Sequence, residues 1–433
     1  MTLFIRTRQD RTAVWWLDTA SAISPCRFAV RSGGHTPWKG SANIDKGVTF
    51  DLRSLNQVSV RTDSKVTSVG PGAKWSDVYS KLDTLNLAVT GGRVGSVGVG
   101  GLITGGGNSF FAPRYGLACD NIDNFEVVLA TGKIVNANSK DNPDLWFALK
   151  GGSNNFGIVT RFDIRTFEQE PFWGGIVGYP IETRLEHFAA FEQLNDAASE
   201  YDPYVSVIDN YFFTLAGGWS IANNYQYTKA EAYPSVFNPF TDIRPETFNT
   251  MRISNLSDFT YDIARQANDG ASRRLFVTGT YGNSPGLLEK IFDAGNATLQ
   301  PVKNVKDLIW SISFQAIPAS ITEKAASTGG NALGLDPQEG PLVLLLMSVF
   351  WTDEADDKKI NAAARDFIDR CNDEAQRMGL LNDWIYLNYA AEWQKPIQGY
   401  GPANVAKLQQ ASRKYDPKGV FQKNVPGGFK LFT

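Results

Sequence analysis

The residues best suited to chemistry lie in a glycine-rich segment, residues 90–107, which reads TGGRVGSVGVGGLITGGG. Between Gly91 and Gly107, nine of the 17 residues are glycine. Such a segment is costly to order, because glycine loses the most backbone freedom on folding. Close approach of backbone N–H groups to a ligand would offset that cost, since such groups form concave nests for phosphate oxygens. The segment therefore predicts a phosphate-binding site; the alternative is that its glycines serve only tight turns.

A second glycine cluster, RSGGHTPWKG, occupies residues 31–40. We interpret the two clusters as opposite walls of one site for a diphosphate-bearing cofactor. His35 follows a Gly-Gly pair in a predicted loop, where functional side chains are common. His187, the only other histidine, lies within residues 182–199, where apolar residues recur at helical spacing. We therefore predict that His187 is an ordinary residue on the surface of a helix.

Composition limits the classes of function. Lys and Arg total 42 and Asp and Glu total 45, so the net charge of −3 argues against a nucleic-acid partner. Two histidines and the lack of a CxxC or HExxH motif argue against a metal site. The three cysteines, Cys26, Cys119 and Cys371, leave room for one disulfide. The longest apolar run, residues 342–351, is too short to span a membrane and predicts a buried strand.

The elements that position the glycine clusters are short strands with helices between them, as in an α+β cofactor domain. Residues 124–130 and 133–135 form a predicted hairpin around Thr131 and Gly132. The remaining predictions are helices at 11–24, 75–85 and 142–149, and strands at 27–30, 48–52, 65–69 and 158–166.

The pattern changes near residues 167–172, after which both strands and helices become longer. Predicted strands are 174–179, 204–208, 274–281, 308–316 and 342–351, and predicted helices are 182–199, 285–298 and 353–378. Gly379 is suited to cap the last helix. One-sided helices beside long strands indicate a sheet with one covered face, whose other face is free to roof the cofactor.

Common phosphate-binding motifs do not fit this sequence. No Gly-Lys-Ser/Thr triplet of a Walker A motif is present. The dinucleotide fingerprint fails at residues 98–103, where Ile103 replaces the last glycine. The segment 90–107 is also expected to be too rich in glycine to open a helix.

Six motifs in a fixed order resemble the FAD-linked oxidases of the berberine bridge enzyme-like group. This group belongs to the vanillyl-alcohol oxidase superfamily, with a PCMH-type FAD-binding domain. The chain's ending, residues 420–430, resembles the fungal branch. The six motifs are RSGGH with Gly40, residues 96–107, PRYGLACDN at 113–121, GGSNNFGIV at 151–159, YLNY at 386–389 and YDPKGVF at 415–421.

The resemblance implies an α+β fold with a two-part FAD-binding domain and a substrate domain. It assigns residues 1–168 to the FAD-binding PCMH-type domain, with a short N-terminus, and 169–390 to the substrate-binding domain. Residues 391–433 are then a C-terminal segment that returns to the FAD domain. The substrate domain is expected to hold an antiparallel sheet, covered by helices on one face, above the isoalloxazine ring.

FAD is the cofactor that the resemblance implies, attached covalently through His35 to the flavin 8α-methyl carbon. Neutral imidazole is a nucleophile near neutral pH, so this attachment is chemically sensible. Val94 stands where many relatives carry a second attaching cysteine, which excludes a second bond there. Val97 matches a position said to gate oxygen. The implied cofactor-binding residues are Arg31, Ser32, Gly33, Gly34, His35, Thr36, Gly40, Val97, Gly98, Gly100, Gly101, Thr104, Gly105, Asn108, Gly157, Ile158 and Val159.

The same resemblance implies that Tyr386, Asn388 and Tyr389 are catalytic. Some relatives carry a tyrosine base where this chain has Asn108, which cannot take a proton. Among the residues that the resemblance places at the site, Tyr386 and Tyr389 alone have a suitable phenol. We expect Tyr386 to act as the base, with Lys395 as the candidate cation that activates it; the alternative base is Tyr389 or a residue of the central domain. The alternative is that these aromatic residues only pack at a domain seam.

The implied function is FAD-linked oxidation: a hydride passes from a small-molecule substrate to flavin N5, and electrons pass to O2. A place in fungal secondary metabolism is plausible for such an enzyme. No metal, nucleic acid, membrane or required protein partner is expected. The chain is expected to begin inside the family's first strand–helix unit, without the signal peptide, the further helix and the first strand that usually precede the helix at 11–24, which leaves the compartment open. The alternative function is that of a degenerate or N-terminally truncated flavoprotein that acts as a non-catalytic binding protein.

Overall fold

The structure is a computed structural model that describes residues 3–6, 26–196, 198–266 and 273–432. Its described helices and strands form three β-sheets with helices packed on them, which confirms the predicted α+β class. The helix predicted at 11–24 lies outside the described residues.

The first part of the chain contains two small sheets. Strands β1, β3 and β2 pair in parallel in that order, and β4-β5-β9-β7-β8 form an antiparallel sheet with β6 beside β9. The predicted hairpin is confirmed as β7 and β8. The elements are β1 (Leu3–Arg6), β2 (Phe28–Arg31), β3 (Val48–Asp51), β4 (Val58–Val60), β5 (Val66–Val69), α1 (Trp75–Asp83), β6 (Leu87–Val89), α2 (Val99–Thr104), α3 (Ala112–Tyr115), β7 (Ile122–Val128), β8 (Ile134–Asn138), α4 (Pro143–Leu149) and β9 (Ile158–Glu168).

The expectation that the chain lacks its first strand is wrong. Leu3–Arg6 forms β1 and pairs in parallel with β3, with Leu3 opposite Val48 and Arg6 opposite Asp51. A run of four residues is too short to carry the alternation by which strands are recognised in a sequence.

The expectation that the glycine-rich segment cannot open a helix is also wrong. Val99–Thr104 forms α2, six residues in the middle of that segment. Val99 and Ile103 are one helical turn apart and both are buried, so two apolar anchors hold the turn against the core. The Thr104 hydroxyl adds a bond to the Gly100 carbonyl oxygen at 3.0 Å. Packing therefore outweighs the low helix propensity of glycine.

The central part of the chain forms a nine-stranded antiparallel sheet. Its strand order is β13-β10-β12-β11-β16-β17-β15-β18, with β14 also paired to β10. The elements are β10 (Phe172–Pro180), α5 (Arg184–Leu194), β11 (Val205–Thr214), β12 (Gly218–Tyr227), α6 (Asn238–Thr241), β13 (Phe248–Asn249), β14 (Arg252–Ser254), α7 (Leu256–Gln266), β15 (Arg273–Gly282), α8 (Pro285–Leu299), β16 (Ile309–Ile317), α9 (Ala319–Ser327), β17 (Leu342–Trp351), α10 (Asp357–Met378) and β18 (Leu381–Asn382).

Helices α5, α8 and α10 cover one face of this sheet, as predicted. Apolar residues of the helices and of alternate strand positions share one buried core, which includes Phe188, Ile291, Phe367, Ile312 and Met347. Because successive strand residues point to opposite faces, the residues between them face away from the helices. Gly379 ends α10 in the left-handed conformation (φ 69°), which confirms the predicted cap.

The last segment packs back against the first part of the chain. It contains α11 (Pro402–Tyr415) and α12 (Val420–Lys423). Asn155 Nδ2 donates to the Phe429 carbonyl oxygen at 2.9 Å, and the Phe28 N–H donates to the Asn424 carbonyl oxygen at 2.7 Å. These contacts agree with a returning segment, while the domain bounds at residues 168 and 390 stay a prediction.

Two negative findings apply to the described ranges. No helix there is both long enough and apolar enough to cross a membrane. No group of three or more His, Cys, Asp or Glu side chains in the same ranges is placed to hold a metal ion. All three cysteines are free thiols, so the one disulfide that the sequence allowed is not formed.

The prediction that His187 lies on a helix surface is wrong. His187 is fully buried between α5 and the sheet, while Leu185 on the same helix is 49% exposed. Asn223 Nδ2 lies 3.1 Å from His187 Nδ1, and the Tyr179 ring packs 4.4 Å away, centroid to centroid. The helix is turned so that its polar residue meets the polar groups of β12. Burial lowers the pKa of His187 to about 3.

This burial predicts a pH-dependent stability. In the unfolded chain, His187 binds a proton below its ordinary pKa of about 6.5. In the folded protein, the buried side chain stays neutral at the same pH. The stability advantage of wild type over His187→Gln should therefore shrink by up to about 1.4 kcal/mol per pH unit as pH falls from about 6.5 to about 4.5. Other titrating groups cancel in the difference, because both proteins contain them. Urea unfolding at several pH values measures it, and a difference that does not change with pH contradicts the prediction.

Candidate active site

A cavity of about 590 Å³ lies between the glycine-rich segments and the helix-free face of the nine-stranded sheet. Small-ligand sites in proteins commonly measure roughly 300–1,000 Å³. Both glycine clusters form one wall, and residues 386–389 form part of another. The sheet contributes alternate residues of β11, β16 and β17, namely Ile208, Asn210, Phe212, Thr214, Ile309, Ser311, Ser313, Gln315, Leu346, Ser348 and Phe350.

The two glycine clusters meet backbone to backbone. A β-carbon at Gly33 would lie 2.5 Å from the Gly98 nitrogen, and one at Gly98 would lie 2.5 Å from Ser32 Oγ. The Ser32 hydroxyl fixes this contact, because it donates to the Pro71 carbonyl oxygen at 2.6 Å and accepts from the Gly100 N–H at 3.2 Å. Close approach of the chain to itself therefore requires glycine at both positions.

Gly101 faces the cavity with open space beside it. No protein atom lies within 4 Å of a β-carbon built at Gly101, and the residue has ordinary helical geometry in α2. The backbone conformation therefore does not require glycine at this position. The open space beside Gly101 indicates room for a ligand. Backbone N–H groups in such loops hold phosphate oxygens. This cradle fits the diphosphate of FAD.

Most of the predicted cofactor-binding residues line the cavity, and three do not. Gly105 packs against the Asn388 side chain, Arg31 packs against Gly34, and the Gly40 carbonyl oxygen packs against Gly427. The lining residues are Ser32, Gly33, Gly34, His35, Thr36, Val97, Gly98, Gly100, Gly101, Thr104, Asn108, Gly157, Ile158 and Val159. Their individual roles toward the cofactor stay predictions.

His35, predicted to carry the flavin, is half-buried in the cavity wall. Val94 and Val97 also line the cavity. The histidine and the two valines come from the two different glycine clusters, so the structure brings together residues that lie far apart in the sequence.

Tyr386, Asn388 and Asn108 form one hydrogen-bonded group at the cavity wall. The Tyr386 hydroxyl oxygen accepts from the Asn108 N–H at 2.8 Å and from Asn388 Nδ2 at 3.1 Å. Asn388 Nδ2 also donates to the Leu102 carbonyl oxygen at 2.9 Å. Burial raises the pKa of Tyr386 well above its usual value of about 10. This argues against our prediction that Tyr386 is the base.

Arg93 was missed by our reading of the sequence, and it joins the cavity's three walls. Its Nη2 donates to the Tyr389 hydroxyl oxygen at 2.9 Å and also to Gln315 Oε1 on β16. The Tyr386 and Tyr389 rings meet edge to face, 4.8 Å apart. Lys395, the cation that we predicted, is exposed and absent from the lining. One signal was available: Arg93 is the only charged residue within 90–107.

The sheet wall carries a polar group that the sequence reading also missed. Asn210 Oδ1 accepts from both the Ser311 and the Ser313 hydroxyl, each at 2.7 Å. The Asn210 N–H donates to Asn223 Oδ1 at 2.8 Å, so both backbone and side chain are held. The available signal was the alternation of polar residues along residues 309–315, which marks one face of a strand.

Comparison with known proteins shows which family the chain is similar to. A family model described as "FAD binding domain" matches residues 19–138. The FAD-dependent monooxygenase CTB5 of the fungus Cercospora beticola is 39% identical over 419 residues. That match covers 94% of this chain and 78% of CTB5.

Solved structures share the fold at low sequence identity. The 6-hydroxy-D-nicotine oxidase of Arthrobacter nicotinovorans is 19% identical with a TM-score of 0.79, over 98% of this chain and 91% of that one. A variant of berberine bridge enzyme in complex with (S)-reticuline is 17% identical with a TM-score of 0.74, over 98% and 89% respectively. The predicted FAD-binding fold is thus confirmed.

The open space at Gly101 predicts a specific loss of cofactor. Gly101→Val should abolish FAD incorporation, because the new side chain extends into the cradle, where no protein atom lies within 4 Å of its β-carbon. FAD content is measured by absorbance, and folding by circular dichroism. Gly286→Val, at an exposed site near the start of α8, is the matched control and should keep normal FAD. Normal FAD in Gly101→Val would show that the cradle lies elsewhere.

Proposed function

Because the chain belongs to the berberine bridge enzyme-like group of FAD-linked oxidoreductases, we propose that it is an oxidase of a small-molecule substrate. Bound FAD would accept a hydride from the substrate at N5 and pass the electrons to O2, releasing hydrogen peroxide. Fungal relatives such as CTB5 support a place in fungal secondary metabolism.

The observation that carries this proposal is the continuity of the cavity. It runs from the glycine cradle to Tyr389 and on to the sheet. A substrate bound under the sheet would thus meet both a cofactor site and an ionisable group. A non-catalytic binding protein would not need such a group beside the cofactor, and we therefore prefer catalysis.

Covalent attachment of FAD at His35 is part of the proposal. His35 lines the same cavity as Gly101, and neutral imidazole is a competent nucleophile. Val94, which also lines the cavity, has no group that could form a second bond.

We expect the tryptic peptide of residues 32–39 to carry the mass of FAD in the holoprotein. Flavin should also stay with the protein pellet after acid precipitation, because a covalent bond survives unfolding. His35→Ala is the control, whose flavin should be released into the supernatant. Complete release of flavin from the wild type would refute the attachment.

Tyr389 is the group that we assign to take a proton from the substrate. The Arg93 guanidinium donates to its oxygen at 2.9 Å, and this cation would stabilise negative charge there. The proton and the charge would then exchange between Tyr389 and a substrate hydroxyl, both close to one cation. Tyr386 stays neutral through burial and, with Asn388, positions the wall beside Tyr389.

We expect Tyr389→Phe to slow flavin reduction by about 100-fold or more, the usual effect of losing a general base. FAD content should not change, since the hydroxyl bonds only to Arg93 and Gln315 among the described residues. Anaerobic stopped-flow absorbance, with a substrate that reduces the wild type, measures the rate.

Tyr386→Phe is the matched comparison, and its effect should stay below about 100-fold, the lower bound for loss of a base. The reverse order of effects would assign the base to Tyr386. The same reaction under ¹⁸O₂ tests the oxidase assignment. An oxidase puts the label into hydrogen peroxide, whereas label in the product would mean monooxygenation, the reaction named for CTB5.

A further inference from the structure

Arg93 is a buried cation without a carboxylate partner in the described part of the chain. Its residue is 6% exposed. Its hydrogen bonds from Nη2 go to the Tyr389 hydroxyl oxygen and to Gln315 Oε1, and neither partner is a carboxylate. No described carboxylate forms an ion pair with it, and no Asp or Glu lines the cavity.

Three more exposed arginines each have a carboxylate within ion-pair distance, in contrast to Arg93. These three are Arg161, Arg252 and Arg273. A buried charge without a partner is costly, and removal from water is the larger part of that cost. A cation kept in a ligand cavity without a partner indicates that the ligand supplies the negative charge.

We infer that Arg93, Tyr389 and Gln315 form a subsite for a negatively charged oxygen of the substrate, such as a phenolate or a carboxylate. The inference deepens the proposed function, because the subsite adjoins the Tyr389 oxygen to which we assign proton transfer. A guanidinium suits this role, since its N–H groups match a carboxylate or phenolate oxygen with charge-assisted hydrogen bonds.

The remainder of the cavity narrows the substrate class. Phe212, Phe276 and Phe350 line it from the sheet, which suits a flat aromatic body. Along β16, Gln315, Ser313 and Ser311 follow each other at alternate positions, about 7 Å apart. The polar edge therefore runs roughly 13 Å from the anion subsite. We assign an oxygen-bearing aromatic acid or phenol as the substrate class.

Benzoate and benzamide are suitable probes, because they share a shape and differ in charge. Binding to the holoprotein is followed through the flavin absorbance spectrum. We expect the wild type to bind benzoate at least about 10-fold more tightly than benzamide, the scale of a hydrogen bond to a charged group. In Arg93→Met this preference should disappear, with benzamide affinity unchanged. Arg93→Lys keeps the positive charge but lacks the planar set of guanidinium N–H donors. This variant should therefore retain part of the preference for benzoate.

Arg114→Met is the matched control. Arg114 is also an arginine that donates a hydrogen bond to a neutral oxygen, Gln169 Oε1 at 2.8 Å. It lies outside the cavity, so its removal should leave the benzoate preference intact. If Arg93→Met fails to fold, the inference is still tested by the binding of benzoate and benzamide to the wild type and to Arg93→Lys.

Three outcomes would overturn the inference. The first is equal affinity of the wild type for the two probes, and the second is no detectable binding of benzoate. The third is an unchanged benzoate preference in Arg93→Met together with a lower reduction potential of the flavin, which would assign the cation to the cofactor. Flavin content and peroxide release test the oxidase proposal separately, so failure of one is distinguishable from failure of the other.

Discussion

The contact between Gly33 and Gly98 is the constraint on which the cavity depends. Neither residue has room for a β-carbon, so two segments 65 residues apart approach as bare backbone. Each segment is held on its far side: the first continues from β2, and the second continues into α2, whose Val99 and Ile103 are buried. Ordering so much glycine costs backbone entropy, which the surrounding core must offset. The open space at Gly101 exists because this contact fixes the loop around it.

The nine-stranded sheet supplies the facing wall through strand periodicity alone. On β16, Ile312 and Phe314 enter the core under the helices, while Ser311, Ser313 and Gln315 face the cavity. The rigidity of the apolar face thus positions the polar face. The pairing of β11 with β12 is interrupted at Asp209 and Asn210. The Asn210 N–H donates to the Asn223 side-chain oxygen instead of to a backbone carbonyl. Asn210 is therefore held from both sides of the sheet.

The sequence predicted elements well where the pattern is long and poorly where packing decides. The strand at 342–351 was predicted at its observed bounds, because nine of its ten residues are apolar and leave little choice. The phase of α5 was predicted wrongly, since Leu185 and His187 fit a helical pattern in either orientation and only the sheet selects one. The glycine cradle was predictable from composition. Arg93 and Gln315 were not, because their bond joins residues 222 apart in the chain.

Charge is distributed unequally across the sheet, and this bears on how the cavity works. Behind the sheet, burial raises the pKa of Asp209 to about 7 and lowers that of His187 to about 3. Both changes favour the neutral forms, so below neutral pH the core behind β11 places little charge next to the cavity. The field felt by a ligand under the sheet then comes mainly from Arg93, in surroundings of low dielectric constant where one charge acts strongly. A single cation next to a phenol is enough to determine which oxygen carries a negative charge. Because the core behind the sheet is neutral, it adds little to the field of that cation.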